Sequence, residues 1–186
     1  MVQNRKYEEW KELNNKYIRE INALIQSMNS HHALQVISYF THSFNIFPSG
    51  DFDNFCIGTF HLKNIGTQAL NNPFICIRVE SENEFDFSGK YIYQDSLRKN
   101  RVTQAWERFN DSKVKHEYWL RPVDIGKLAK GEEISFSNFQ LKWKSHSSYS
   151  FRVNAFVYGD EIQEGQHALN DIHIKGTIAK EDDTDG

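Results

Sequence analysis

Tyr149-Ser-Phe-Arg-Val-Asn-Ala-Phe-Val-Tyr158 alternates from Tyr149 to Ala155 and closes on an apolar run. Tyr149, Phe151, Val153, Ala155 and Val157 fall on one parity, and Ser150, Arg152 and Asn154 on the other. Successive side chains of a strand point to opposite faces, so this pattern reads as a β-strand with one buried face. Ile75, Ile77 and Val79 repeat it upstream. Between Ile134 and Trp143 the parity slips by one: Ile134 and Phe136 share a phase, then Phe139, Leu141 and Trp143 take the other. One extra residue in a strand produces that slip, so a β-bulge is expected near Asn138.

Working outward, strands are predicted over Leu34–Phe40, Phe55–Lys63, Phe74–Glu80, Phe85–Phe87 with Lys90–Tyr93, Val114–Leu120, Ile134–Trp143, Tyr149–Tyr158 and Asp171–Ile178. Turn-forming Gly, Pro, Asn and Asp punctuate them. Many short strands without long intervening helices predict a mainly β fold, an antiparallel β-sandwich. One short helix is expected within 102–109, where Val102, Trp106 and Phe109 share a helical face.

The first thirty residues follow another period. Tyr7, Asn14, Ile21 and Met28 take heptad position a, and Trp10, Tyr17 and Leu24 take position d. With no Gly or Pro, this predicts an N-terminal amphipathic α-helix. A single Asn at an a position sets register and favours a dimer, so Trp10, Asn14, Tyr17, Ile21 and Leu24 are the candidate self-association residues. Leu13, Ile18 and Ile25 widen the stripe beyond a and d, which also suits a helix lying on its own domain. The expected organisation is a helix over 1–30, a β-sandwich over 31–180 and an acidic tail over 181–186.

Composition supports one such unit. The chain has 186 residues, 39% apolar and 14% aromatic, with ten Gly and two Cys, enough for a core that leans on aromatic rings. Glu181, Asp182, Asp183 and Asp185 account for the net charge of −3; without them 21 acids face 22 bases. No global field draws the body onto nucleic acid or an anionic membrane, so neither is an expected partner. The charged first twenty residues hold no apolar signal core, and no stretch approaches the ~20 apolar residues of a membrane span. A cytoplasmic protein is expected. Cys56 and Cys76 are then reduced thiols in apolar strands, with a bridge between neighbouring strands geometrically open.

Gly58-Thr-Phe-His-Leu-Lys-Asn-Ile-Gly66, followed by Leu70-Asn-Asn-Pro-Phe-Ile-Cys-Ile-Arg-Val79, ends a strand in an Asn-x-Gly turn and begins the next after Asn-Pro. Leu128-Ala-Lys-Gly-Glu-Glu-Ile-Ser-Phe136 is a turn followed by a strand. These stretches resemble bacterial immunoglobulin-like sandwich modules of adhesion and assembly proteins. The resemblance implies an immunoglobulin-like fold and a binding or scaffolding role.

Signatures of chemistry are missing. No nucleophile elbow, His-Glu-x-x-His, or Cys-x-x-Cys occurs, and Glu132 stands where a phosphate loop beginning at Gly126 needs Lys. Asp51 and Asp53, and Glu80, Glu82, Glu84 and Asp86, are acidic clusters, read as solvated strand ends rather than a Ca²⁺ site. Eight histidines, including His31-His32, show no ligand spacing, so no metal and no cofactor are expected.

The most informative segment is 98–121, where seven bases face three acids and aromatic rings interleave. Arg98, Arg101, Trp106, Arg108, Tyr118, Trp119 and Arg121 form the candidate binding surface, since cations among aromatics engage an acidic partner, a sugar or a single strand. The alternative for the segment is that Trp106 and Trp119 anchor a long excursion onto the sandwich. The expected function is a non-catalytic protein–protein interaction or scaffolding module. The alternative is a carbohydrate-binding module with Trp106, Tyr118 and Trp119 as its platform.

Overall fold

Alternation of apolar residues becomes alternation of burial in the computed structural model, which describes residues 2–31, 34–47, 52–93 and 105–177, with α-helical side chains described over 10–25. The helix α1 spans Val2–His31. Four strands build the smaller sheet: Val36–Asn45 (β1), Asp53–Asn64 (β2), Asp86–Ser88 (β5) and Glu133–Lys144 (β10). Their order is β1-β2-β10-β5, all antiparallel.

The larger sheet holds Phe74–Ser81 (β4), Tyr91–Tyr93 (β6), Trp106–Arg108 (β7), Glu117–Pro122 (β8), Tyr149–Gly159 (β11), Ile162–His167 (β12) and Ile172–Gly176 (β13). Its order is β12-β11-β4-β8-β7-β6, with β13 also paired to β11. Leu70–Asn71 (β3) and Lys127–Leu128 (β9) form a separate two-stranded ladder.

The inner faces meet in one aromatic core. Trp106 of the larger sheet meets Phe136 of the smaller at 5.8 Å, Tyr118 meets Phe87 at 4.1 Å, and Phe151 meets Trp143 at 5.3 Å between ring centroids. Ile75, Ile77, Leu120, Val153, Ala155 and Val157 fill the space between them, fully buried. The molecule is therefore mainly β and sandwich-like, with one N-terminal helix.

The parity slip is a bulge. The β2–β10 register shifts between Phe136 and Phe139, and Asn138 sits at φ 58°. Asn tolerates this left-handed conformation better than most residues. The extra residue lets both Phe136 and Phe139 point inward, where their rings stack 6.1 Å apart. Phe139 lies opposite Gly58, where an added Cβ would stand 2.2 Å from its ring. The Asn-x-Gly turn is closed by buried Asn64, whose Oδ1 accepts from Gly66 N at 2.9 Å. Its Nδ2 donates to the carbonyls of Gln68 and Leu128.

Several expectations are corrected. The helix expected within 102–109 is not formed by the described part: Trp106–Arg108 is a strand between β6 and β8. Ladder bonds on both sides and burial of Trp106 outweigh the weak local helical spacing. The β6–β7 pair is parallel, so the sheets are not wholly antiparallel. β8 begins at Glu117 rather than Val114. Glu80 lies on β4 and Asp86 on β5, with a bend between. Cys56 and Cys76 lie in different sheets, free and buried. Arg98, Arg101, His32, Asp51 and the acidic tail fall outside the described residues.

Candidate interaction surfaces

α1 is a long uninterrupted helix because its sequence lacks Gly and Pro and is rich in Glu and Lys. Thirty residues extend it about 45 Å. Arg19 Nε donates to Asn15 O at 3.2 Å, and Lys16 approaches Glu20 at 3.9 Å, one turn on. Between Trp10 and Ile25 every side chain is exposed. Leu13, Tyr17, Ile18, Ile21 and Ile25 keep 48, 53, 48, 54 and 50% of their surface in solvent, and Trp10 and Leu24 each keep 61%. Among the described side chains of α1, over residues 10–25, none belongs to the sandwich core. Of the five self-association candidates, the helix carries Trp10, Tyr17, Ile21 and Leu24 on the stripe with Asn14 among them.

The expected surface over 98–121 divides, because β7 and β8 alternate. Trp106, Arg108, Tyr118 and Leu120 point inward; Glu107, Phe109, Trp119 and Arg121 point outward. Trp106 is 5% exposed, and its Nε1 donates to Ser135 O at 2.9 Å. Tyr118 is 4% exposed and its hydroxyl donates to Lys115 O at 2.8 Å. Burial drives the Tyr118 phenol up to about 12, against the opposing pull of Arg108. Both rings are core residues and present no face to a ligand, so the platform of Trp106, Tyr118 and Trp119 is not assembled.

Arg108 is buried as well. Its guanidinium lies over the Tyr118 ring, 4.4 Å from the centroid. Nε donates to Asn110 Oδ1 at 3.0 Å, and one terminal nitrogen donates to the carbonyls of Asp111, Val114 and Glu117. A buried charge needs its donors satisfied. Here it organises the 109–117 turn instead of meeting a partner. The cation sequence reasoning assigned to a surface is thus the pin of a loop.

Trp119 and Arg121 do reach the outer face of the larger sheet. Arg121 pairs with Glu107 at 2.7 Å and stands 5.6 Å from the Phe109 ring. Trp119 joins half-buried Phe74, Phe109 and Tyr158; Phe74 and Tyr158 stack at 5.0 Å, and Trp119 meets Tyr158 at 5.2 Å. Trp119 Nε1 donates to Glu117, which also pairs with Arg78 at 2.9 Å. Phe74 and Tyr158 were missed from sequence as site residues. Their outward parity within apolar strands was the available signal.

On the outer face of the smaller sheet, His61 bridges Glu133 and Thr41. Nδ1 lies 3.1 Å from Glu133 Oε1, and Nε2 lies 3.1 Å from Thr41 Oγ1. Tyr39 stacks on the imidazole at 4.8 Å. These groups come from three adjacent strands on an open, flat face, and flanking backbone amides are engaged in the ladders. The arrangement ties the strands together. Among the described residues no group of three or more metal-ligating side chains converges. No helix among them is long and apolar enough to cross a membrane.

A scan against protein-family models finds no match, and a search of the curated proteins finds no similar sequence. The fold defines the class: a β-rich, sandwich-like protein with an N-terminal helix.

Proposed function

We propose that this chain is an interaction module: an immunoglobulin-like β-sandwich that associates through α1, with a second copy or with another protein, and performs no catalysis. The observation that supports this reading is the stripe of Leu13, Tyr17, Ile18, Ile21 and Ile25, each about half exposed and none part of the core. A lone helix is marginal in water, and its stability comes from packing its apolar face. Covering these side chains returns roughly 1 kcal/mol each at 25 cal/mol per Å². Asn14 at the centre of the stripe sets the register of that contact. Light scattering on the full chain and on protein lacking residues 1–30 tests this. An oligomeric or partner-bound mass that falls on deletion is expected; the same number of copies before and after deletion, with no captured partner, removes the reading.

A carbohydrate-binding reading comes second, favoured only by the outer-face cluster of Phe74, Phe109, Trp119 and Tyr158. Aromatic faces stack on sugar rings. A glycan array without signal above background ends it.

A further inference from the structure

β1 is the edge strand of the smaller sheet, and its two halves are treated differently. Backbone groups of Val36, Ser38 and Phe40 point away from β2. The segment 166–170 bonds four of them: Gln166 Nε2 donates to Val36 O at 2.9 Å, and Leu169 N to Ser38 O at 2.8 Å. Asn170 caps Phe40 on both sides, accepting from its N–H at 2.8 Å and donating to its carbonyl at 3.0 Å. Alternation puts the N–H and C=O of His42 and Phe44 on the same open side, and beyond Phe40 that cover stops. Among the described residues nothing bonds these groups.

The uncovered half is apolar and uncharged. Phe44 and Ile46 are 41 and 48% exposed, and His42 packs on Phe44 at 4.8 Å. No Asp, Glu, Lys or Arg occurs between Val36 and Phe47. Edges that must stay single are protected by charge, Pro, bulges or a covering segment. Here the fold covers one half and leaves the other bare, straight and neutral.

We propose that His42–Ile46 pairs edge to edge with the same segment of a second copy, antiparallel about a two-fold axis through Phe44. The segment is complementary to itself. With Phe44 opposite the second copy's Phe44, and His42 opposite its Ile46, all the facing residues share one parity, so every open N–H meets an open C=O. The Phe44 rings then lie side by side, and no charge is brought against another. This surface is separate from α1; two isologous contacts on one chain build a four-copy assembly when both close.

The test uses full-length protein. Phe44→Cys and Ser43→Cys variants are oxidised mildly with oxidised glutathione, the native thiols being buried. A disulfide dimer is expected from Phe44→Cys, whose side chains meet across the axis, and at least tenfold less from Ser43→Cys, whose partner is displaced along the strand. Sedimentation of Phe44→Lys should show half the mass of the wild type, while Thr59→Lys, adding the same charge one strand inward, leaves it unchanged. Equal cross-linking at both positions, none at either, or an unaltered mass for Phe44→Lys overturns the proposal. Loss of α1 association leaves the Phe44→Cys cross-link intact, so the two readings fail separately.

Discussion

Arg108 carries the largest single-residue consequence. Removing its guanidinium takes the donor from Val114 O and one of two donors from Asp111 O, Glu117 O and Asn110 Oδ1, and opens the buried site over the Tyr118 ring. Arg108→Ala is expected to cost about 3 kcal/mol or more, read from the urea midpoint, and Lys does not replace the planar fork. Gly58→Ala puts a methyl into the Phe139 ring and should cost about 1–3 kcal/mol by the same measurement. The thiols give a pH dependence. Burial raises Cys56 and Cys76 from 9.0 to about 12, with Glu117 adding to and Arg78 opposing the shift at Cys76. The folded state thus holds these protons longer than the unfolded state. Their stabilisation is complete below pH 9 and is lost as pH rises toward 12. Unfolding free energies measured across that window should fall, and alkylation of native protein at pH 8 should proceed only through unfolding.

At the scale of elements, α1 and β7 teach opposite lessons. α1 follows its local sequence, because a run without Gly or Pro forms the same helix whatever covers it. Under the proposed association its stability depends on a partner, so helicity and association are coupled. Dilution should lower the helical signal at 222 nm in step with the mass. Ile18→Asp with Ile21→Asp should lower both at all concentrations, and a helical signal independent of mass would contradict the coupling. β7 overrides its local sequence. Trp106, expected on a helical face, lies in a strand because β6 and β8 offer ladders on both sides, a fact no window around it contains. β12 went unforeseen for the same reason, since its polar run pairs only through the hairpin from β11.

For the whole molecule, the core is built by strands distant in sequence, as where β2 pairs with β10. Such non-local pairing is closed late and slowly. Refolding followed by fluorescence of Trp106 and Trp143 should take milliseconds to seconds, and deletion of residues 1–30 should leave its rate and the unfolding midpoint unchanged. Parity along single strands, the bulge at Asn138, the Asn64 turn and the helix were legible in the sequence, because each depends on residues adjacent in the chain. The split of 98–121 was not. Composition counts cations and rings alike, but only the pairing of β7 with β8 decides that Arg108 and Tyr118 turn inward while Trp119 and Arg121 turn out. The bare half of β1 was hidden too, since which strand stands at an edge, and where its cover ends, is settled by the order of strands in space.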